Sequence, residues 1–207
     1  DNIELMNEAE TPLPLGVIDK IDSEIETRLN ARYLDLRKTE IAANFQIRAA
    51  ISGAVHKHLR RENFLEVQTP KIIASATEGG TSLFEMKYFD KTAYLAQSPQ
   101  LYKQILMSGG LERVYEVGPA FRAEEHNTPR HLNEFISIDI EMSFADDDVV
   151  MGVMERLVST VARTVSKETK ALKTLGLEPI ELELPLPRIT YDEAVEMAQG
   201  KVKWGED

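Results

Sequence analysis

The chain of 207 residues has 35 acidic and 24 basic side chains, a net charge of −11, and a hydrophobic content of 43%. Such a chain is expected to form one large or two small globular domains, and its acidity excludes a general phosphate-binding surface for nucleic acid. It has no cysteine, which excludes disulfides and thiolate metal sites, and no apolar run of membrane-spanning length. Any contact with nucleic acid must be local, as at the basic cluster Arg28, Arg32, Arg37 and Lys38.

The first third of the sequence predicts an extended segment and then helices. Prolines and a glycine within residues 7–22 indicate the extended segment, and the charged stretch 22–38 favours a short helix. Apolar residues at helical spacing predict a long helix from about Glu40 to Arg61, with Thr39 as its N-cap.

Short strands are predicted in the middle of the chain. Phe64–Val67 forms one strand, and Leu83–Phe89 and Thr92–Gln97 form two more after a loop of small residues. Ser98 followed by Pro99 favours the start of a helix, which Gly109 and Gly110 end.

The last part of the chain predicts a hairpin and further helices. A strand begins at Arg113, and the alternation of apolar and polar residues from Ile136 to Phe144 predicts a half-buried strand. Asp146 is expected to cap a helix over about 147–175, which Gly176 ends. A strand is predicted next, at Ile180–Leu184. Thr190 and Glu193 then predict a capping box at the start of a last helix.

The order of these elements favours an α+β fold around an antiparallel sheet flanked by helices. The strands are joined by hairpins and the helices are segregated from them, which argues against a Rossmann fold. Neither the P-loop spacing nor a Gly-x-Gly-x-x-Gly motif occurs.

The stretch Phe121–Phe135 is the most informative for function. Arg122 stands at one root of a polar loop and Phe135 at the other, and Arg130 and His131 lie between them. An arginine fork binds phosphate or carboxylate and an aromatic ring stacks on a base, so such a loop can hold a nucleotide. The alternative is a solvated hairpin with cross-strand ion pairs.

Two further motifs have both a functional and a structural interpretation. In Thr77-Glu78-Gly79-Gly80, two glycines give a mobile loop whose carboxylate can receive an ammonium group, or the loop is a solvated turn. Gln100 and Lys103 share one face near a helix N-terminus, where they can bind a ligand carboxylate. The alternative is that Lys103 is an ordinary surface lysine. The histidines show no metal-ligand spacing.

Taken together, these motifs resemble the class II aminoacyl-tRNA synthetases. Phe121–Phe135 resembles motif 2 and Phe64–Pro70 resembles motif 1 of that family. Thr77–Gly80 resembles the flipping loop of the aspartyl branch, and Gln97–Lys103 resembles its substrate helix. Arg32–Arg37 resembles the segment that leads into its catalytic domain. In this order, the matches are specific for aspartate–tRNA ligases of archaea and the eukaryotic cytosol.

The resemblance implies two-step chemistry: ATP activates L-aspartate to aspartyl-adenylate, and the aspartyl group then passes to tRNA(Asp). Arg122 would bridge the substrate α-carboxylate and the α-phosphate, Phe135 would stack on adenine, and Asp139 could orient Lys103. Glu124 would contact the tRNA acceptor end or order the nucleotide. The implied substrate-binding residues are Glu78, Gln100, Leu101, Tyr102, Lys103 and Arg122. The implied ATP-binding residues are Arg122, Ala123, Glu124, Arg130, His131, Leu132 and Phe135.

The resemblance also implies a domain organisation and partners. Residues 1–21 would be the linker after an anticodon-binding barrel, and residues 22–207 the first part of a catalytic domain that lacks motif 3. No metal site is expected within the chain, so the Mg²⁺ ligands are expected beyond Asp207. Pro70 would lie at a homodimer interface. Cytoplasmic localisation and no membrane association are expected.

Two other functions remain open on the sequence. One is an asparagine synthetase of the synthetase-like type, which acts on free aspartate, and the other is a non-catalytic synthetase-like binding module. The linker-like stretch Glu8–Gly16 favours the tRNA ligase, and Lys103 favours aspartate over asparagine because it can neutralise a side-chain carboxylate.

Overall fold

The computed structural model describes residues 3–8, 11–18, 23–75, 83–123 and 132–198. The chain divides into two compact units, which are described separately. The sheet unit comprises residues 44–161, and the terminal unit comprises residues 1–43 and 162–207.

Within those described ranges the chain forms both helices and short strands. The helices are α1 (Ile25–Asn30), α2 (Arg32–Asp35), α3 (Thr39–Arg61), α4 (Gln100–Ser108), α5 (Asp147–Val165), α6 (Thr169–Leu175) and α7 (Tyr191–Met197). The strands are β1 (Leu65–Glu66), β2 (Ile72–Ile73), β3 (Glu85–Tyr88), β4 (Lys91–Leu95), β5 (Arg113–Phe121) and β6 (Glu134–Met142).

The sheet unit contains two three-stranded sheets. The main sheet has the order β1-β5-β6, in which β5 and β6 are antiparallel and β1 is parallel to β5. The second sheet has the order β2-β4-β3 and is antiparallel throughout. The α+β fold class is therefore confirmed, with the difference that the main sheet is mixed.

The core of the sheet unit lies on one face of the main sheet. Val55 and Leu59 are four apart on α3, Val153 and Leu157 are four apart on α5, and both pairs pack in one cluster with Tyr115 of β5. The i, i+4 spacing places each pair on one side of its helix, so both helices cover the same sheet face. Partly buried residues extend this cluster: Ile51, Val117, Ile140, Met142 and Val161.

The apolar face of β6 is only partly covered. Ile140 and Met142 pack against the core cluster, whereas Ile136 and Ile138, on the same face, are 48% and 45% exposed. The alternation predicted for this strand is present. Its apolar residues are buried only where the helices cover them, so the strand pattern alone does not determine their burial.

In the terminal unit, Asp35 fastens α1 to α2. Its side chain is fully buried and accepts hydrogen bonds from Arg28 Nε at 3.0 Å and from Arg32. Next to it, Leu15, Ala31 and Leu34 form a small apolar cluster. The Arg28 hydrogen bond lowers the pKa of Asp35 below its ordinary value, with a further contribution from Arg32.

We expect Asp35→Asn to destabilise the protein at neutral pH and much less in acid. A lowered folded-state pKa stabilises the fold fully above the unfolded pKa, and this contribution is lost as pH falls through the folded pKa. After allowance for the partly exposed arginines, the loss at pH 7 is about 1–2 kcal/mol. Urea unfolding of variant and parent at pH 7 and pH 3 measures it, with the exposed Glu85→Gln as control. An equal deficit at both pH values would contradict this role.

Several local predictions are confirmed. Thr190 and Glu193 form the capping box of α7, and Asp146 Oδ1 accepts from Val149 N at 2.9 Å at the start of α5. Gly109 follows α4, and Gly176 ends α6 in the left-handed conformation with φ 67°. Each of these signals depends on residues only a few positions apart, so it can be recognised in the sequence alone.

Other local predictions are wrong. Thr39 lies inside α3 rather than before it, and α4 begins at Gln100 rather than at Pro99, although Ser98 Oγ does accept from the Gln100 N–H at 3.2 Å. The predicted helix 147–175 is two helices, α5 and α6, interrupted at residues 166–168.

The predicted strand Ile180–Leu184 does not form. Ile180 instead exchanges hydrogen bonds with the side chain of Ser166, whose Oγ donates to its carbonyl at 3.1 Å and accepts from its N–H at 3.0 Å. Alternating residues make a strand only beside another strand, and in the described residues none runs along 180–184. None of the helices in the described ranges is long and apolar enough to cross a membrane.

Candidate active site

The second face of the main sheet is polar and carries the candidate site. Antiparallel register pairs Glu116 with Asp139 and Ala120 with Phe135, so these side chains project to the face opposite the core. Arg122 follows two residues after Ala120. Helix α4 contacts both β5 and β6, and Lys103 from this helix reaches the polar face.

Lys103 is buried and held by β6. It is 4% exposed, and its Nζ donates to Asp139 Oδ1 at 3.2 Å and to the carbonyl oxygen of Ile140 at 3.3 Å. Glu141 Oε2 lies 3.6 Å from the same nitrogen. A buried ammonium group with this support is a fixed cation, not a surface lysine. The expected contact between Asp139 and Lys103 is present, whereas Glu141 was not singled out from the sequence.

Arg122 and Phe135 form a pair at the end of the hairpin. The guanidinium carbon of Arg122 lies 5.3 Å from the centroid of the Phe135 ring, within the range of a cation–π contact. The Arg122 N–H donates to the carbonyl of Asn133 at 3.0 Å. The ring orients the guanidinium, and both groups belong to the face that carries Lys103.

The remaining predicted site residues are placed less fully. Gln100 begins α4, and its N–H donates to Ser98 Oγ at 3.2 Å. Leu101 is exposed, while Tyr102 and Ala123 are half-buried. Four predicted residues lie outside the described part of the chain: Glu78, Glu124, Arg130 and His131.

Leu132 and Phe135 line an open cavity of about 450 Å³. Arg48 of α3, Glu134 and Ile136 complete its lining. The resemblance implied that Leu132 and Phe135 lie near ATP. Arg48, Glu134 and Ile136 belong to the core-side face of the sheet, so this cavity is not part of the polar face that carries Lys103.

The segment that contains Pro70 is tied to the polar face by Glu116. This glutamate is 1% exposed and accepts hydrogen bonds from Thr69 N at 2.9 Å and Thr69 Oγ1 at 2.7 Å. Lys71 Nζ lies 3.0 Å from Glu116 Oε1. A Cβ on Gly118 would lie 3.3 Å from the same oxygen, so glycine leaves room for the carboxylate. Pro70 itself is exposed. No local sequence pattern indicated a role for Glu116.

The charged groups on the core-side face serve a structural role. Tyr115 donates to Glu66 at 3.0 Å, and His56 Nδ1 lies 3.0 Å from the same hydroxyl. The hydrogen bond from Arg60 lowers the pKa of Glu66, and burial raises the pKa of Tyr115. This network joins α3 to β1 and β5 and lies on the sheet face opposite the one that carries Lys103 and Arg122.

Across 3–8, 11–18, 23–75, 83–123 and 132–198, no group of three or more His, Asp or Glu side chains is arranged to hold a metal ion. Asp139 and Glu141 both face Lys103, a cation that opposes a second cation at that place. The pair Asp139 and Glu141 therefore does not suit Mg²⁺, and the place where the protein binds Mg²⁺ stays a prediction.

Comparison with known proteins agrees with this geometry. A family model described as tRNA synthetases class II (D, K and N) matches residues 24–206. The aspartate–tRNA(Asp/Asn) ligase of Archaeoglobus fulgidus is 54% identical, covering 100% of this chain and 49% of that protein. The aspartate–tRNA(Asp) ligase of Thermoplasma acidophilum is 52% identical, covering 96% and 46%.

Solved structures show the same relationship. The asparaginyl-tRNA synthetase of Pyrococcus horikoshii, complexed with asparaginyl-adenylate, matches with a TM-score of 0.78 and 35% identity over 89% of this chain and 44% of that one. The aspartyl-tRNA synthetase of Entamoeba histolytica matches with a TM-score of 0.75 and 35% identity over 94% and 42%.

The chain spans about half the length of the curated relatives it matches. The family model nevertheless covers most of it, and its polar face unites the lysine, arginine and aromatic ring of the motifs recognised in the sequence. This chain belongs to the class II aminoacyl-tRNA synthetases of the D, K and N group.

Proposed function

We propose that the protein containing this chain is an aspartate–tRNA ligase. It would activate L-aspartate with ATP to aspartyl-adenylate and transfer the aspartyl group to tRNA(Asp). The relatives named above, 54% and 52% identical, are aspartate–tRNA ligases, which supports this reaction.

The buried Lys103 is the observation that carries the choice of amino acid. A cation held by Asp139 and the Ile140 carbonyl, at 4% exposure, presents its charge in a site largely closed to water. Such a group favours a ligand carboxylate strongly over a neutral amide, because an ion pair strengthens as the surrounding dielectric constant falls. Lys103 would therefore receive the side-chain carboxylate of aspartate.

Arg122 would act at the reacting centre. In the first step a carboxylate oxygen of aspartate attacks the α-phosphorus of ATP, and pyrophosphate leaves. This chemistry needs alignment and charge neutralisation, not a protein nucleophile. The fork of Arg122, oriented by Phe135, can donate to both the substrate carboxylate and the α-phosphate.

Other residues would bind the substrates around these two cations. Gln100, Leu101, Tyr102 and Glu78 would contact aspartate, with the Glu78 carboxylate receiving its ammonium group. The proposed ATP-binding residues are Ala123, Glu124, Arg130, His131, Leu132 and Phe135, the last stacking on adenine.

The proposal also covers the domain organisation, the metal, the oligomeric state and the compartment of the protein. We infer that residues 1–21 form a linker, that residues 22–207 are the first part of a catalytic domain, and that Mg²⁺ binds elsewhere in the protein. A homodimer with Pro70 at its interface is also proposed, and the exposure of Pro70 leaves it accessible for such a contact. The compartment would be the cytoplasm.

An asparagine–tRNA ligase is the second candidate, because the solved asparaginyl-tRNA synthetase shares the fold at 35% identity. The curated aspartate–tRNA ligases are more similar to this chain in sequence, and Lys103 suits a carboxylate. The two named ligases differ in whether they are described for tRNA(Asp) alone or for tRNA(Asp/Asn). Charging of tRNA(Asn) with aspartate is therefore a separate question.

The full-length protein tests the proposal. We expect ATP–pyrophosphate exchange that depends on aspartate and not on asparagine, followed by transfer of labelled aspartate to tRNA(Asp). Exchange with free aspartate but no labelled tRNA would favour the amidating enzyme, and asparagine-dependent exchange would favour the second candidate. The same labelling assay with tRNA(Asn) distinguishes the two types of aspartate ligase.

A further inference from the structure

Lys103 has one N–H that is not used in a hydrogen bond to the described residues. An ammonium group has three N–H donors. Two of them reach Asp139 Oδ1 at 3.2 Å and the Ile140 carbonyl at 3.3 Å. Glu141 Oε2, at 3.6 Å, is beyond a hydrogen bond but within an ion pair. The third N–H is therefore the donor left for a ligand carboxylate, and Glu141 is a second carboxylate within ion-pair distance of the same nitrogen.

The charge at this place is not balanced for an anionic ligand. One ammonium group is paired with two carboxylates, those of Asp139 and Glu141. A substrate carboxylate on the third N–H adds another negative charge next to Glu141. Like charges a few ångströms apart repel strongly where water is largely excluded, so Glu141 opposes the ligand that Lys103 attracts.

We propose that Glu141 sets the affinity for the amino-acid substrate as a displaceable counter-ion of Lys103. It neutralises the buried ammonium group before substrate enters and yields that contact to the substrate side-chain carboxylate. This inference rests on the proposed function, since it requires that Lys103 bind the carboxylate of aspartate.

The two acidic residues have different roles in this account. Asp139 accepts a hydrogen bond and stays with Lys103 to orient it, whereas Glu141 makes only the longer contact and is the group that can give way. The backbone carbonyl of Ile140 cannot move independently of β6. Glu141 is therefore the partner whose removal changes ligand affinity without releasing Lys103 from its strand.

Glu141→Gln in the full-length protein tests the proposal by steady-state pyrophosphate exchange. The amide keeps the size of the side chain and removes its charge, so we expect the aspartate KM to fall about 3- to 10-fold. We expect kcat and the ATP KM to stay within about twofold, because Glu141 does not contact the reacting atoms in this account. The inhibition constant of neutral asparagine should change less than the aspartate KM.

Two further variants make the result specific. Glu141→Asp keeps the charge but draws the carboxylate back by one methylene group, so it should lower the aspartate KM less than Glu141→Gln does. Glu62→Gln is the matched control, since Glu62 is 23% exposed against 24% for Glu141 and is also ion-paired, but with Arg156 of α5. It should not change the aspartate KM.

The possible outcomes distinguish failure of the counter-ion role from failure of the proposed function. A parent protein without aspartate-dependent exchange would refute the proposed function. An active parent whose Glu141→Gln variant has an unchanged or raised aspartate KM would overturn only the counter-ion role, and a raised KM would indicate that Glu141 binds the substrate ammonium group. If Glu141→Gln unfolds, a raised aspartate KM in Glu141→Asp would also overturn it.

Discussion

Lys103→Met in the full-length protein is expected to lower the kcat/KM of aspartate-dependent pyrophosphate exchange by at least about 100-fold, or roughly 3 kcal/mol. Methionine keeps an unbranched side chain of similar length in the buried position and removes the charge. The substrate carboxylate would then lie beside Asp139 and Glu141 without a cation between them, which is unfavourable in a site largely closed to water.

The control separates loss of this contact from loss of the fold. Lys87→Met removes an exposed lysine from β3 and should leave exchange unchanged. The ATP KM should change little in either variant, and thermal unfolding measures how much stability each retains. A Lys103→Met enzyme whose kcat/KM stays within a few-fold of the parent would refute the assignment of Lys103.

Arg122→Lys should lower kcat on the order of 100-fold with a smaller change in the aspartate KM. Lysine keeps the positive charge but loses the planar fork that can donate to two groups at once, and it loses the contact with the Phe135 ring. If the fork bridges the carboxylate and the α-phosphate as the new bond forms, the loss falls mainly on the transition state.

An arginine at the start of β5 gives a matched control. Arg113 also lies over an aromatic ring, with its guanidinium carbon 5.7 Å from the Phe64 centroid, but it donates to the carbonyl of Glu62 at 3.0 Å and not to the polar face. Arg113→Lys should lower stability slightly and leave kcat unchanged. A rise in the aspartate KM of Arg122→Lys with kcat intact would show that Arg122 acts in ground-state binding.

The candidate site was partly predictable because its motifs are local while its contacts are not. Lys103 and Asp139 are 36 positions apart, and their contact could be anticipated from the period of β6 and a family resemblance. Glu116 and Thr69 are 47 positions apart in the sequence, and neither their residue types nor their spacing predicts the hydrogen bonds between them.

The fold predictions divide in the same way. The capping box of α7 and the glycine end of α6 depend on residues a few positions apart, so the sequence was sufficient. The strand expected at 180–184 required a neighbouring strand, and the parallel pairing of β1 with β5 joins segments almost 50 residues apart. Alternation shows which residues share a face but not which other strand will pair with them.

The sequence by itself determined the fold class, most helices and strands, and the identities of the lysine, arginine and aromatic residues proposed for the site. The tertiary structure decided that Lys103 is buried between Asp139 and Glu141, and that Glu116 holds the Pro70 segment. The physical reason is the distance along the chain over which each kind of interaction acts. Helix periodicity and capping come from interactions within one or two turns, whereas burial and charge pairing depend on which distant segments pack together.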